Sequence, residues 1–156
     1  MSGISAPWSL GQEQLLSESW FGLVEARPSQ GPLVDLVVPA EAAYLALVRT
    51  SAAGLAARWS FSLEDLEDLR LAVAEACALV LTAAATGTRL HCRFRGGHGK
   101  LWFAVAAMTD PLRILDHEHF GWAILGALTQ DVQTLEPQPG VILVGFRKTA
   151  GTTVAA

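Results

Sequence analysis

The sequence predicts an α+β protein, a two-layer α/β sandwich in which helices cover one face of a mostly antiparallel sheet. Apolar residues recur at helical spacing in three segments and fall in short strand-like runs in five others. Short glycine-containing turns join two of the strand pairs, which favours antiparallel hairpins. The resulting order is β-α-α-β-β-α-β-β. With 156 residues, 51% of them hydrophobic, the chain supplies one core of ordinary size.

The first half of the chain contains one strand and two helices. Pro39 ends the strand, because proline cannot donate to a sheet ladder. Ser62 stands three residues before Asp65, an acidic variant of the capping box that marks the start of the second helix. The predicted elements are a strand at residues 33–38 and helices at about 40–58 and 63–84.

The second half contains four strands and a third helix. Its first strand alternates, so that Leu90, Cys92 and Phe94 share one face. The other face carries a basic stripe, for which a solvated surface is the expected outcome and contact with an acidic protein the alternative; the stripe consists of Arg89, His91, Arg93 and Arg95. The predicted elements are strands at 89–95, 100–107, 131–135 and 141–147 and a helix at 118–129.

The chain divides into an N-terminal extension at 1–32, a folded domain at 33–148 and a small polar tail at 149–156. The extension ends in a run of helix-breaking residues. Within it a short amphipathic helix is predicted, with an apolar side made of Leu16, Trp20, Leu23 and Val24. This helix either frays or docks on its own domain, or it is a docking helix for a partner.

Composition excludes several classes of function. The formal net charge is −4 and the sequence pI about 5.5, so the basic footprint of a nucleic-acid binder is missing. No apolar run is long enough to span a membrane, and the first residues lack the features of a signal peptide. Cys77 and Cys92 form no metal-binding motif, and His117 and His119 are spaced so that they do not converge on a helix. We therefore expect a cytoplasmic protein without a metal site.

Two charged residues stand alone in apolar helical segments. Glu75 interrupts the run from Leu71 to Leu81, so its carboxylate must be exposed, paired or neutral. It either extends a wet face of the second helix or serves a site or partner contact. Arg49 is the only charge between Glu41 and Arg58. It is either a surface arginine, with a carboxylate of the second helix as one available partner, or a contact for a partner protein.

The stretch from Leu33 to Leu81, with VPAEAAYLALVRTSAAGLAARWSFSLEDLEDLRLAVAEACALVL, resembles the RsbW-type anti-sigma factors, small serine kinases of the GHKL ATPase superfamily. The similarity continues weakly through HFGWAILGALTQDVQTL to GVILVGFRK. It implies a Bergerat-type sandwich across residues 33–148 in a bacterial protein. It further implies binding of a stress or development sigma factor, displacement by a STAS-type anti-anti-sigma protein, and often a homodimer. Active members phosphorylate a serine of that antagonist.

The residues that match the family's nucleotide motifs are mostly changed in this chain. Glu75 stands where the family has its general base. The positions of the magnesium-binding asparagine, the adenine-reading aspartate and the final threonine hold Leu79, Ala107 and Ile142, and the sequence contains no asparagine at all. The glycine-rich box that would donate backbone N–H groups to phosphates keeps one glycine, Gly121. Leucine, alanine and isoleucine side chains offer no ligand for Mg²⁺.

Three hypotheses follow, and the first is favoured. The protein is an anti-sigma factor without kinase activity, which needs neither ATP nor Mg²⁺ and uses Arg49 as a partner contact. Alternatively it is an active ATP-dependent serine kinase, with Glu75 as its retained catalytic residue. In the third hypothesis the sandwich binds an unrelated apolar ligand in a vacated pocket lined by Leu79, Trp122 and Ile142.

Overall fold

The computed structural model describes residues 31–151. The predicted amphipathic helix of the extension lies outside the described residues, as does most of the predicted tail. The boundaries of the three predicted segments stay a prediction. The described elements are β1 (Leu33–Pro39), a 3-10 turn (Ala42–Tyr44), α1 (Leu45–Arg58), α2 (Leu63–Ala83), β2 (Arg89–Gly97), β3 (Lys100–Met108), α3 (Gly121–Leu128), β4 (Gln130–Leu135) and β5 (Val141–Thr149).

The strands form a five-stranded sheet in the order β1-β2-β3-β5-β4, and every neighbouring pair is antiparallel. The predicted two-layer α+β sandwich is confirmed. At the centre of the sheet Phe94, Phe103 and Phe146 stand in register on three adjacent strands. Their ring centroids are 5.1 and 5.4 Å apart, and all three side chains are fully buried. Such tilted aromatic pairs stabilise a core beyond the area that they bury.

The helix α2 begins at the predicted capping box. The N–H of Asp65 donates to the Ser62 hydroxyl over 3.2 Å, and the Asp65 carboxylate accepts from the N–H of Ser62 over 3.2 Å. The same carboxylate accepts from the N–H of Gly151. The first turn of α2 therefore also holds the chain beyond β5.

The sheet has two faces with different surroundings. The inner face packs against the helices in one core cluster, to which α2 contributes most of the helical residues, among them Leu69, Val73 and Val80. The outer face carries a second cluster that contains strand residues only: Ala104, Ala106, Val141 and Leu143, with Trp102, Met108 and Leu135 packed against it. In the described part of the chain all helices thus lie on the inner side.

The solvated basic stripe was a wrong expectation for two of its four residues. On the outer face the side chains of His91 and Arg93 are buried. The guanidinium of Arg93 donates from two nitrogens to the two carboxylate oxygens of Asp35, over 2.6 and 2.7 Å. This bidentate pair lets a charged group lie in a buried position. Alternation alone could not reveal it, because Asp35 is 58 residues away in the sequence.

The third helix is shorter than predicted. It begins at Gly121 rather than at residue 118 and ends at Leu128. Residues before it are held in a loop by local hydrogen bonds from backbone to side chain. The N–H of Glu118 donates to the Asp116 carboxylate, and the N–H of Gly121 donates to the imidazole of His119. Such bonds compete with helical ones and move the helix start forward.

Candidate functional site

Glu75 lies against the start of α3. Its side chain is half-buried, so it does not simply extend a wet face of α2. A methyl group built on Gly121 would lie 2.7 Å from Oε2 of Glu75 and 2.9 Å from Nδ1 of His119. Only glycine leaves room for both side chains at this place. The carboxylate of Glu75 therefore sits at the N-terminal end of a helix, where the helix dipole favours negative charge.

The first amide of α3 is already occupied. The N–H of Gly121 donates to Nδ1 of His119 over 2.9 Å. The next two N–H groups, of Trp122 and Ala123, donate to the carbonyl oxygens of His119 and Phe120 over 3.2 and 3.0 Å. Free N–H groups at a helix start are what bind a phosphate. Here the chain itself accepts from them, and a carboxylate stands beside them.

Three of the positions singled out in the sequence come together in the apolar core. Leu79 on α2 and Ala107 on β3 are fully buried, and Ile142 on β5 is paired in register with Ala107. All three belong to the core cluster or pack against it. No oxygen or nitrogen of these side chains is available to a cation or an adenine ring. The expected positions of the metal ligand and the base reader are thus filled by hydrocarbon.

The loop between β3 and α3 is fastened over α2. Its Leu115 is 7% exposed and joins the core cluster. The N–H of Asp116 donates to the Thr82 hydroxyl over 3.2 Å, and that hydroxyl donates to the carbonyl of Leu79. The indole N–H of Trp122 donates to the carbonyl of Asp116 over 2.8 Å. These contacts hold the loop closed from both ends.

The cavity left under this loop is small. It has a volume of about 240 Å³, and its lining includes Ala83, Asp110, Leu115 and Ile142. Sites that enclose a drug-sized ligand typically measure about 300–1,000 Å³. Asp110, three residues beyond Ala107 in the sequence, is engaged within its own loop. It accepts from the N–H of Leu112 and lies 4.0 Å from Nε of Arg113.

Comparison with known proteins identifies the architecture. The family described as "Histidine kinase-like ATPase domain" matches residues 38–144, more than half of the chain. The chain belongs to this family. The match runs from the end of β1 into β5, so it includes Glu75, Gly121 and the three changed positions Leu79, Ala107 and Ile142.

Curated relatives of this ATPase domain carry the name "Serine-protein kinase RsbW". Those of Bacillus thuringiensis (strain Al Hakam), Bacillus mycoides (strain KBAB4) and Bacillus cereus (strain B4264) are each 37% identical to it over 51 residues. The aligned part is 33% of this chain and 32% of each relative, so the chain spans about a third of the length of the relatives it matches. The resemblance to RsbW-type proteins is confirmed.

A second candidate surface of the ATPase domain lies between α1 and α2. The groove has a volume of about 450 Å³ and is lined by Ala46, Arg49, Thr50, Glu67, Arg70, Leu71 and Ala74. The structure places Arg49 there, exposed to solvent. Within residues 31–151 no carboxylate forms an ion pair with Arg49, whereas Arg70 pairs with Glu67 over 3.4 Å. Arg49 is therefore a surface arginine, and among the described residues it forms no ion pair with α2.

Exposed apolar side chains lie on both helices that form this groove. Leu71 of α2 lines the groove and is 45% exposed, and Leu47 of α1 is 50% exposed. Exposed large apolar groups near an arginine are typical of a protein–protein interface. Arg49, the predicted partner contact, thus lies on a different surface from the cavity beside the β3–α3 loop.

The described residues also lack a metal-binding cluster and a membrane-spanning helix. Between Gly31 and Gly151 no three His, Cys, Asp or Glu side chains converge in a way that could hold a metal ion. Over the same residues, none of the helices is both long enough and apolar enough to cross a bilayer.

Sequence reasoning missed the roles of His119 and Leu115. The spacing of His119 argues against a metal ligand and predicts no other role, yet its ring accepts from the first amide of α3. Leu115 falls in the loop between the predicted strand at 100–107 and the predicted helix at 118–129, so no periodic pattern marks it as buried. The available signal was the apolar triplet Leu112, Ile114 and Leu115 in a segment otherwise rich in polar residues. Which of the three is buried depends on the path of the loop, and local spacing does not fix that path.

Proposed function

We propose that this protein is an anti-sigma factor that sequesters an alternative sigma factor of the stress or development type without ATP-dependent kinase activity. A STAS-type anti-anti-sigma protein releases the sigma factor by competing for the same protein. Both binding events occur in the cytoplasm. In this proposal the sigma factor is released by competition between two binding proteins and not by phosphorylation.

The observation that carries the absence of kinase activity is the occupied start of α3. Its first N–H is bonded to His119, and the Glu75 carboxylate lies against the same residue, Gly121. A triphosphate placed there would have to break that hydrogen bond. The Glu75 carboxylate by itself is no obstacle, since an active kinase would use it as the base, but the buried Leu79 provides no ligand for the Mg²⁺ that would offset the repulsion between carboxylate and phosphates. Loss of one such charge-stabilising contact costs about 10²–10³ in rate.

The partner surface is supported by the groove between α1 and α2. Sequestration needs an accessible, complementary surface and no reaction chemistry. Exposed apolar side chains supply area to bury, and Arg49 supplies a donor for a carboxylate or carbonyl of the partner. Arginines that become buried at interfaces are frequent sites of large energetic effect. The groove is separate from the cavity under the loop, so binding here does not require nucleotide.

Calorimetry with Mg-ATP tests the nucleotide part of this proposal. The full chain is titrated with Mg-ATP, and Serine-protein kinase RsbW of Bacillus cereus in the same buffer is the positive control. We expect only heat of dilution up to about 1 mM nucleotide. This result would mean that the Kd for Mg-ATP is above about 1 mM and the binding free energy weaker than about 4 kcal/mol. Saturable binding at micromolar Mg-ATP would favour the alternative, an active serine protein kinase that uses Glu75 as base.

A pull-down from the native cytoplasm tests the partner part. The tagged full chain is incubated with and without Mg-ATP, and bound proteins are identified by mass spectrometry. Recovery of a sigma factor or a STAS protein in equal amounts under both conditions supports the proposal. Arg49→Glu should reduce recovery of at least one of them at least tenfold. Lys100→Glu is the matched control, because it makes the same charge change on an exposed residue of the β2–β3 hairpin.

The third hypothesis, an apolar ligand in the vacated pocket, is tested by the same preparation. Leu79 is fully buried in the core cluster, and the cavity near Ile142 measures about 240 Å³. A ligand there must be smaller than a nucleotide or must open the loop at Leu115. Native mass spectrometry of the purified chain that finds a bound apolar molecule in stoichiometric amount, together with failure to recover either partner, would replace the anti-sigma proposal.

A further inference from the structure

The outer face of the sheet is apolar at its centre and is buried. Ala104, Ala106, Val141 and Leu143 are each 0% exposed. In an antiparallel sheet with one face open, side chains on that face point into solvent, and neighbours within the sheet shield them only at the sides. No helix of residues 31–151 lies on this side. The cover must therefore come from outside the described residues or from another molecule.

The centre of the outer face is shaped for close approach of a helix. Ala104 stands opposite Gly145, and Ala106 opposite Leu143, on the neighbouring strands β3 and β5. Three of these four residues are alanine or glycine, so few side-chain atoms project from the middle of the face and another backbone can approach it closely. Trp102 and Met108 lie at its ends and are half-buried. A single amphipathic helix with a few large apolar side chains fits such a surface better than another flat sheet does.

The chain enters the described residues beside this face. The N–H of Gly96 donates to the carbonyl of Pro32 over 3.4 Å. Any side chain on Gly31 would collide with the carbonyl of Gly96, so the backbone passes directly against the β2–β3 hairpin. Gly31 and Pro32 line a cavity of about 260 Å³ together with Trp102, whose side chain belongs to the outer face. Thirty residues precede this point, enough to cross the sheet and return.

Charge also matches the extension to this face. Residues 1–30 carry three glutamates, Glu13, Glu18 and Glu25, against a single arginine. Arg89 and Arg95 of β2 lie on the outer face, together with Arg93 and Arg147, which form ion pairs with Asp35 and Asp131. Opposite charge around an apolar centre favours one orientation of a docked segment. The C-terminal tail is a poor alternative, because Gly151 is bonded to Asp65 on the helical side of the sheet.

We propose that residues 1–30 fold back over the outer face of their own sheet, with the side of Leu16, Trp20 and Leu23 packed on Ala104, Ala106 and Leu143. The segment is then part of the domain's structure and not a free docking arm. The face that it covers is no longer available for a homodimer through the sheet. Partner binding is thereby confined to the opposite, helical layer. This inference does not depend on the anti-sigma proposal.

Photo-cross-linking in the full chain tests it. Trp20→p-benzoylphenylalanine places a probe on the apolar side, and Glu18→p-benzoylphenylalanine is the matched control on the other side of the predicted helix. Equal amounts of ¹⁴N- and ¹⁵N-labelled chains are mixed before irradiation. We expect at least fivefold more cross-linking from position 20 than from position 18 to peptides of residues 100–108 and 141–149, all within one chain. Cross-links that join light to heavy chains would instead assign the face to a second copy, and absence of cross-links to these strands would also overturn the proposal.

A second variant tests the same contact without a probe. Ala106→Glu puts a carboxylate in the centre of the outer face, whereas Ala123→Glu makes the same change at an exposed position of α3. Cleavage after the extension's glutamates by a glutamate-specific protease should become at least tenfold faster with Ala106→Glu and stay within twofold of the unchanged chain with Ala123→Glu. Equal rates in both variants, with near-ultraviolet circular dichroism unchanged, would count against the docked segment. If Ala106→Glu does not fold, the cross-linking experiment still decides.

Discussion

Replacing Gly121 with alanine tests the packing of Glu75 and His119 against the start of α3. In a helix, alanine is more stable than glycine by about 0.5–1 kcal/mol. Gly126, in the same helix, has no heavy atom within 4 Å of where a methyl group would be built. Gly126→Ala should therefore show this gain in full. It is the matched control for Gly121→Ala.

At Gly121 the gain is offset by what the methyl group displaces. The group would come within 2.7 Å of Oε2 of Glu75 and 2.9 Å of Nδ1 of His119, so both side chains must move. The hydrogen bond from the Gly121 N–H to His119 is worth about 0.5–1.5 kcal/mol. A carboxylate moved away from a helix N-terminus loses about 0.3–1 kcal/mol. Gly121→Ala should thus be less stable than Gly126→Ala by about 1–2 kcal/mol.

Urea unfolding followed by circular dichroism measures the difference. With a slope of about 2 kcal/mol per M, the two midpoints should differ by roughly 0.5–1 M. Repeating the pair in a Glu75→Ala background removes one of the two obstacles, so the difference should narrow by about 0.5 kcal/mol or more. If Gly121→Ala and Gly126→Ala stabilise the protein equally, Glu75 and His119 do not pack on the start of α3. The N-terminal amides of α3 would then be available to a phosphate.

Three other predictions concern stability and reactivity. Burial raises the pKa of Asp65, but the hydrogen bonds from Gly151 and Ser62 together lower it by more. The net pKa therefore lies below the ordinary value of 3.8. The pKa of Asp65 is lower in the folded protein than in the unfolded chain, so its ionised carboxylate stabilises the fold at pH values above the unfolded pKa. This stabilisation is lost as the pH falls through the folded pKa. Asp65→Asn should cost about 0.5–2 kcal/mol near pH 7 and flatten the acid-induced decline in urea midpoint below about pH 4; an unchanged slope would refute the linkage. Leu79→Asn should destabilise by about 2–4 kcal/mol without creating Mg-ATP binding by calorimetry, while Ala78→Asn, on a half-buried neighbour, should cost about 0.7 kcal/mol. Contact with Cys77 and burial raise the pKa of the Cys92 thiol well above 9.0, so a thiol reagent at pH 8 should modify both cysteines no faster than the protein unfolds; a rate independent of urea would contradict this.

The order of the elements could be predicted because its signals are local. The capping box at Ser62 and Asp65 and the alternation from Leu90 to Phe94 each depend on residues a few positions apart. The start of α3 could not be placed in this way. It depends on the imidazole of His119, which accepts from an amide that helical spacing would assign to a regular turn. Side-chain bonds of this kind move a helix start without changing the apolar pattern.

The residues of the candidate site could be predicted from the sequence, but their arrangement in space could not. The family resemblance alone identifies Leu79, Ala107 and Ile142 as positions without ligands for a metal or a nucleotide. That the three share one core cluster, and that Leu115 closes over them, depends on the loop held by Thr82 and Asp116, which are 34 residues apart. The same limit applies to Arg93, whose burial becomes intelligible only with Asp35 in register on β1. Pairings across the sheet fix these contacts, and a window along the chain does not contain them.

The start of α3 and the groove at Arg49 would support two different ways of releasing a bound partner. If release depended on phosphorylation, the start of α3 would need free amides and α2 a metal ligand. The amide of Gly121 is bonded within the chain, and the ligand position holds Leu79. The groove at Arg49 retains exposed apolar groups and a charge without an ion pair among the described residues. A binding equilibrium at that groove responds to the concentrations and affinities of two competing proteins, and not to nucleotide. Release would then be graded and reversible by mass action, since each competitor shifts the complex only by its own affinity.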